Sequence, residues 1–131
     1  SGNMFPKVSI TESCVVLEFS TWDKFLNASS KDITIPREHI SSIDVGPEIL
    51  KECKGFRAPG TYTFSQTYGF GIIAGTYRQR HGVKHFWNVR AKLADHTIRF
   101  NLSGDDFTSV VVQVEDLQAT LRNLGRHSES Q

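Results

Sequence analysis

"YGFGIIAGTYR", residues 68–78, sets Gly69, Gly71 and Gly75 into the pattern G-x-G-x-x-x-G. A phosphate-cradling glycine loop works because a helix starts at once behind it and aims free N–H groups at the anion. Here Thr76-Tyr77-Arg78 continues the run after Gly75, and His81-Gly82 turns it. The stretch therefore reads as a strand. Its glycines let the strand coil, or let another backbone come close. Alternation puts Gly75 on the same side as Ile73 and Tyr77.

Downstream, four apolar runs follow at regular intervals: 70–77, 83–91, 97–102 and 109–114. The gaps hold His81-Gly82, Ala94-Asp95 and Gly104-Asp105-Asp106, all turn chemistry. The pattern predicts an antiparallel meander. The period then changes: Leu117, Leu121 and Leu124 form one helical stripe. Glu115 and Asp116 suit the positive end of that helix, Arg122 its negative end, and Gly125 a C-cap. The stripe must lie on the open end of the β-structure before it.

Upstream, residues 7–19 read as two short strands around Thr11-Glu12-Ser13. In "STWDKFLNAS", Ser20 or Thr21 caps a short helix and Asp23 suits its first turn. Trp22, Phe25 and Leu26 there have i, i+3, i+4 spacing. "DITIP" is a brief strand, "HISSIDV" another of ambiguous inward face, and Gly46-Pro47 precedes one or two helical turns over 48–54. Residues 56–67 carry a Pro59-Gly60 turn signal and read as strand or ordered loop.

A chain of 131 residues with 38% hydrophobic and 22% charged residues is one globular domain, over residues 4–125. Residues 1–3 resemble an expression scar and 126–131 a flexible polar tail. No apolar run approaches the roughly 20 residues of a membrane span. No signal peptide opens the sequence. Cys14 and Cys53 match no metal spacing and read as two thiols in a reducing cytoplasm.

The net charge of +1 hides an asymmetry. Residues 53–94 contain no Asp or Glu but seven cations: Lys54, Arg57, Arg78, Arg80, Lys84, Arg90 and Lys92. The remainder holds eight basic and fourteen acidic residues, so a block of +7 sits in a remainder of −6. If Ile73 and Trp87 face the core, alternation crowds Arg78, Arg80, Lys84, Arg90 and Arg99 onto one outer face. Such a face either is solvated and paired with acids, or meets an anionic surface. The low net charge argues against nucleic acid. A protein partner or self-association is favoured, and peripheral membrane contact stays open. Sheet-edge addition and helix-adjacent grooves are general ways to bind such a partner.

Short strands, a four-strand run and a closing helix resemble the pleckstrin-homology superfold, two nearly orthogonal sheets with a helix at one corner. The chain also looks like the PH-like domains found in uncharacterised bacterial proteins. The likeness rests on "GFRAPGTYTFSQTYGFGIIAGTYRQRHGVKHFWNVR", with Arg57, Pro59-Gly60 and the Phe86-Trp87 strand, on the helix start in "VVVQVEDLQATLRNL", and on "WDKFLNASSKDITIPREHISSIDV" upstream. It runs from about Val8 to Leu124. It implies a mainly β fold: a PH-like sandwich or partly open barrel of about seven antiparallel strands with one C-terminal helix. Lipid-binding members carry basic residues in the first hairpin loop. Here that turn is the short, acidic Thr11-Glu12-Ser13, which argues against phosphoinositides.

No nucleophile elbow, carboxylate pair or metal spacing stands out, and His81 and His85 are separated by a glycine turn. The sequence thus predicts no catalytic residues, no metal and no cofactor. It predicts a binding or scaffolding module. The alternative is a small-molecule carrier or hydrolase with a pocket lined by residues 56–68.

Overall fold

The computed structural model describes residues 4–53 and 71–129. Strands β1 (Lys7–Ile10) and β2 (Cys14–Glu18) form the first hairpin. At its tip the Thr11 hydroxyl accepts from the amides of Ser13 (3.2 Å) and Cys14 (3.1 Å). Helix α1 (Thr21–Asn27) follows, and β3 (Ile33–Pro36) then pairs with the far side of β2. The first sheet therefore runs β1-β2-β3, with β1 at one edge.

The second sheet holds β4 (Ile40–Val45), β5 (Ile72–Arg78), β6 (Lys84–Arg90), β7 (Thr97–Leu102) and β8 (Ser109–Gln113), in the order β4-β7-β8-β6-β5. Short 3-10 turns fill Pro47–Cys53, Arg80–Gly82 and Ala91–His96. With the C-terminal helix α2 (Leu117–Glu129), the chain is mainly β, and among the described residues eight strands form two sheets without a closed barrel. This is the partly open sandwich that the sequence predicts.

The meander needs correction. β6 pairs with β8, not with β7, and that pairing is parallel, in the register Phe86↔Val110 and Asn88↔Val112. The reason lies in β8. Val110, Val111 and Val112 are each fully buried, although successive side chains point to opposite faces. A strand apolar on both sides belongs in the middle of a covered sheet. Past Asn88 the two strands separate, and the buried Gln113 side chain spans the gap. It accepts from the Arg90 amide (2.7 Å) and donates to the Arg90 carbonyl (2.8 Å).

Both faces of the second sheet are consequently packed. Phe86, Phe100 and Val110 meet Val15, Leu17 and Ile35 between the sheets, where Leu124 of α2 joins them. On the opposite face Ile73, Tyr77, Trp87 and Val89 form a second cluster with Ile49.

Helix α2 starts where the Asp116 side chain accepts from the Ala119 amide (2.9 Å), an N-cap bond. It does not stop at Gly125, as the sequence reading has it, but runs through that glycine to Glu129. Gly75, in β5, has φ +125°, and a Cβ there would come 3.5 Å from the Asn27 carbonyl oxygen. It serves a close approach, that of α1.

Candidate functional site

The five cations predicted to share one outer face do not do so. Arg78 is exposed at the end of β5, opposite Lys84 in the ladder. The side chain of Arg80 lies outside the described residues. Lys84 is largely covered: its ammonium pairs with Asp106 and sits 4.6 Å from the Phe107 ring centroid. Arg90 is 7% exposed and contacts buried Asp23 (3.0 Å). Arg99 projects from the other face of the sheet, in register with Val111, and pairs with Asp44 (2.8 Å) and Glu52 (2.7 Å). The premise that only the Trp87 face is buried fails because Phe86 faces a core as well.

Arg90 leads instead to α1. Ser20 caps this helix by accepting from the Asp23 amide (3.1 Å). Ala28 ends it in the left-handed region, φ 55°. Its buried residues are polar: Asp23 and Asn27, each 3% exposed and one turn apart. Asn88 of β6 donates to Asn27 Oδ1 (2.7 Å) and, at longer range, to Asp23 Oδ1 (3.4 Å). Arg90 Nη1 donates to the Met4 carbonyl (3.2 Å).

The aromatic side chains face outward. Trp22 is 59% exposed and Phe25 73%, and their rings stack with centroids 5.6 Å apart. The helix is inside-out: its polar side is in the protein and its aromatic side in solvent. The i, i+3, i+4 spacing thus marks the outward side rather than a core stripe, and Leu26 is only half-buried. Leaving two large rings in water forgoes about 1.5–3 kcal/mol each of burial.

Beside Trp22 opens a groove of about 1030 Å³. One wall is the edge strand β1, through Lys7, Val8 and Ile10, and the other is α2, through Ala119, Thr120 and Asn123. Phe19 and Val114 lie between them, with Asp23 and Arg90 at the α1 end. Glu18, Glu115 and Asp116 supply further carboxylates. Asp95 continues the acidic surface in an adjoining hollow with Glu115 and Asp116.

A smaller cavity of about 420 Å³ lies on the opposite face of the second sheet. There His85 Nδ1 is 2.8 Å from Ser109 Oγ, and His85 Nε2 is 3.4 Å from Gln79 Oε1. Burial, reinforced by the Arg99 charge, pushes the His85 imidazole below its ordinary value. Asp44 is held low by hydrogen bonds from Asn101 and Arg99. The pocket anticipated along residues 56–68 lies outside the described residues. Among the described residues, no three His, Cys, Asp or Glu side chains are grouped to hold a metal ion. No described helix is long and apolar enough to cross a membrane.

No protein-family model matches the chain, and neither a curated protein nor a solved structure matches it.

Proposed function

We propose that the domain is a non-enzymatic binding module that docks a protein partner on the Trp22–Phe25 pair and the adjoining groove between β1 and α2. The inverted α1 carries this reading. Exposed apolar surface that a fold could have buried marks interaction sites, and aromatic side chains dominate binding energy at interfaces. A rigid mount strengthens the case, because Asp23 and Asn27 tie the helix to β6 from behind.

The non-enzymatic part is favoured by the His85–Ser109 contact. A serine nucleophile needs a base that becomes imidazolium, stabilised by a carboxylate on its other nitrogen. Here that nitrogen lies 3.4 Å from the Gln79 amide oxygen, and burial with the Arg99 charge outweighs the carboxylate of Glu52 in the same cavity. A cytoplasmic setting belongs to the same proposal and is consistent with the free Cys14 thiol. The pleckstrin-homology resemblance also stays a proposal. Two sheets and a C-terminal helix favour it, and the parallel β6–β8 pair departs from it.

The test is selection of displayed dodecapeptides on the protein. Selected peptides should bind the Trp22→Ser/Phe25→Ser variant at least about tenfold more weakly, the effect of losing one interfacial anchor. Peptides that bind both forms equally, or no enrichment at all, would overturn the reading.

A further inference from the structure

We propose that the partner enters the groove as an extended segment bearing Lys or Arg, which adds as a strand to the outer edge of β1. This rests on the docking reading above and specifies its occupant.

Two features of the groove point there independently. The first is backbone geometry. Among the described residues β1 is an edge strand, paired with β2 on one side, and it forms a wall of the groove. An edge offers its outer N–H and C=O groups to another extended chain. A segment lying there would have β1 on one flank and α2 on the other, an arrangement suited to strand addition with side-chain selection. The α2 wall of the groove carries the short side chains of Ala119 and Thr120.

The second is charge. Asp23 and Arg90 satisfy each other. Among the described residues, the other charged side chains lining the groove are the carboxylates Glu18, Glu115 and Asp116 and the cation Lys7, which stands opposite Glu18 in the β1–β2 register. Asp95 extends the negative surface. Alternate side chains of an added strand point the same way, so cations at every second position face these carboxylates. Trp22 lines the same groove, and an indole ring attracts cations as well. The same charges disfavour the anionic lipid surface that an exposed aromatic pair would otherwise suit.

The test uses the dodecapeptides selected on the full chain. The selected pool should carry excess Lys and Arg. Exchanging charge in Glu18→Lys/Glu115→Lys should weaken those peptides about tenfold, the scale of two exposed ion pairs reversed. Asp116 is left in place because it caps α2. N-methylation at alternate peptide amides should abolish binding. A neutral or acidic pool, an unchanged Kd in the charge-exchanged variant, or full tolerance of N-methylation would each overturn the inference. A cationic pool that responds to charge exchange but ignores Trp22→Ser/Phe25→Ser would keep it while removing the aromatic pair from the site. Binding to phosphatidylglycerol vesicles that depends on Trp22 and Phe25 would assign the surface to lipid and overturn the inference too.

Discussion

Asp23 of α1 and Arg90 of β6 meet at 3.0 Å in a buried ion pair, so the helix holds on to the sheet with its polar side. Desolvating two charges cancels much of what their attraction gives, so such a pair is weak evidence for stability. It does set orientation. With Asp23 turned inward, Trp22 and Phe25 on the same short helix must face water. The pair fixes which side of α1 faces solvent.

Breaking that pair on one side should cost far more than removing it entirely. Arg90→Met alone is expected to lose about 3–5 kcal/mol, because it strands a buried carboxylate. Asp23→Leu/Arg90→Met should recover much of the loss. Urea unfolding of the single and double variants measures the difference. Equal losses would mean that the two charges do not depend on each other.

The aromatic pair and the helix stripe should respond in opposite ways. Trp22→Ser/Phe25→Ser should change stability by no more than about 0.5 kcal/mol per site, as surface positions do. Leu124→Ala removes a side chain buried in the main cluster and should cost about 2–5 kcal/mol. Denaturant midpoints compare the two. A large loss from the aromatic variant would show these rings packed into the fold.

Gly75→Val should destabilise for a backbone reason. At φ +125° an L side chain is strained by about 1–3 kcal/mol, and the new branches would press on the Asn27 carbonyl. No phosphate compound should bind the parent protein in a way this variant removes. Saturable nucleotide binding, measured by calorimetry, would restore the anion-loop reading of residues 68–78.

Acid should weaken the fold in two stages. The folded His85 titrates below 6.5, so the unfolded chain takes up its proton first. Stability is therefore full above about 6.5 and declines as pH falls through the folded value. His85→Gln should flatten that stage. Asp44 and Asp105 are also depressed, Asp105 because the Phe107 amide and His39 outweigh its burial. Their contribution holds above about 3.8 and is lost below it. Urea midpoints recorded across pH show both stages. A rise in stability between 6.5 and 5 would contradict the first.

The fold was largely legible because its periods are plain: alternation in β1 and β7, and the Leu117, Leu121, Leu124 stripe. Strand order was less so. Val110-Val111-Val112 announces a strand covered on both faces, and that run carried the signal that β8 sits centrally. The parallel pair itself depends on contacts distant in sequence, which local pattern does not record. The cationic face failed for a related reason. Alternation assigns sides, but only packing tells which sides are water, and here Arg90 is buried and Arg99 projects from the opposite face. Helix α1 was found by its cap and spacing. Its orientation was hidden, since the i, i+3, i+4 spacing of Trp22, Phe25 and Leu26 does not say which side of the helix is buried; the Asp23–Arg90 contact does.

The most direct test follows the two tryptophans, Trp22 and Trp87, by fluorine NMR of protein labelled with 5-fluorotryptophan. A soluble gadolinium chelate should broaden the Trp22 signal and spare the Trp87 signal, whose ring is buried. Adding a selected cationic peptide should then protect Trp22 and leave Trp87 unchanged. A Trp22 signal shielded from the chelate in the free protein, or still fully broadened with the peptide bound, would contradict the account.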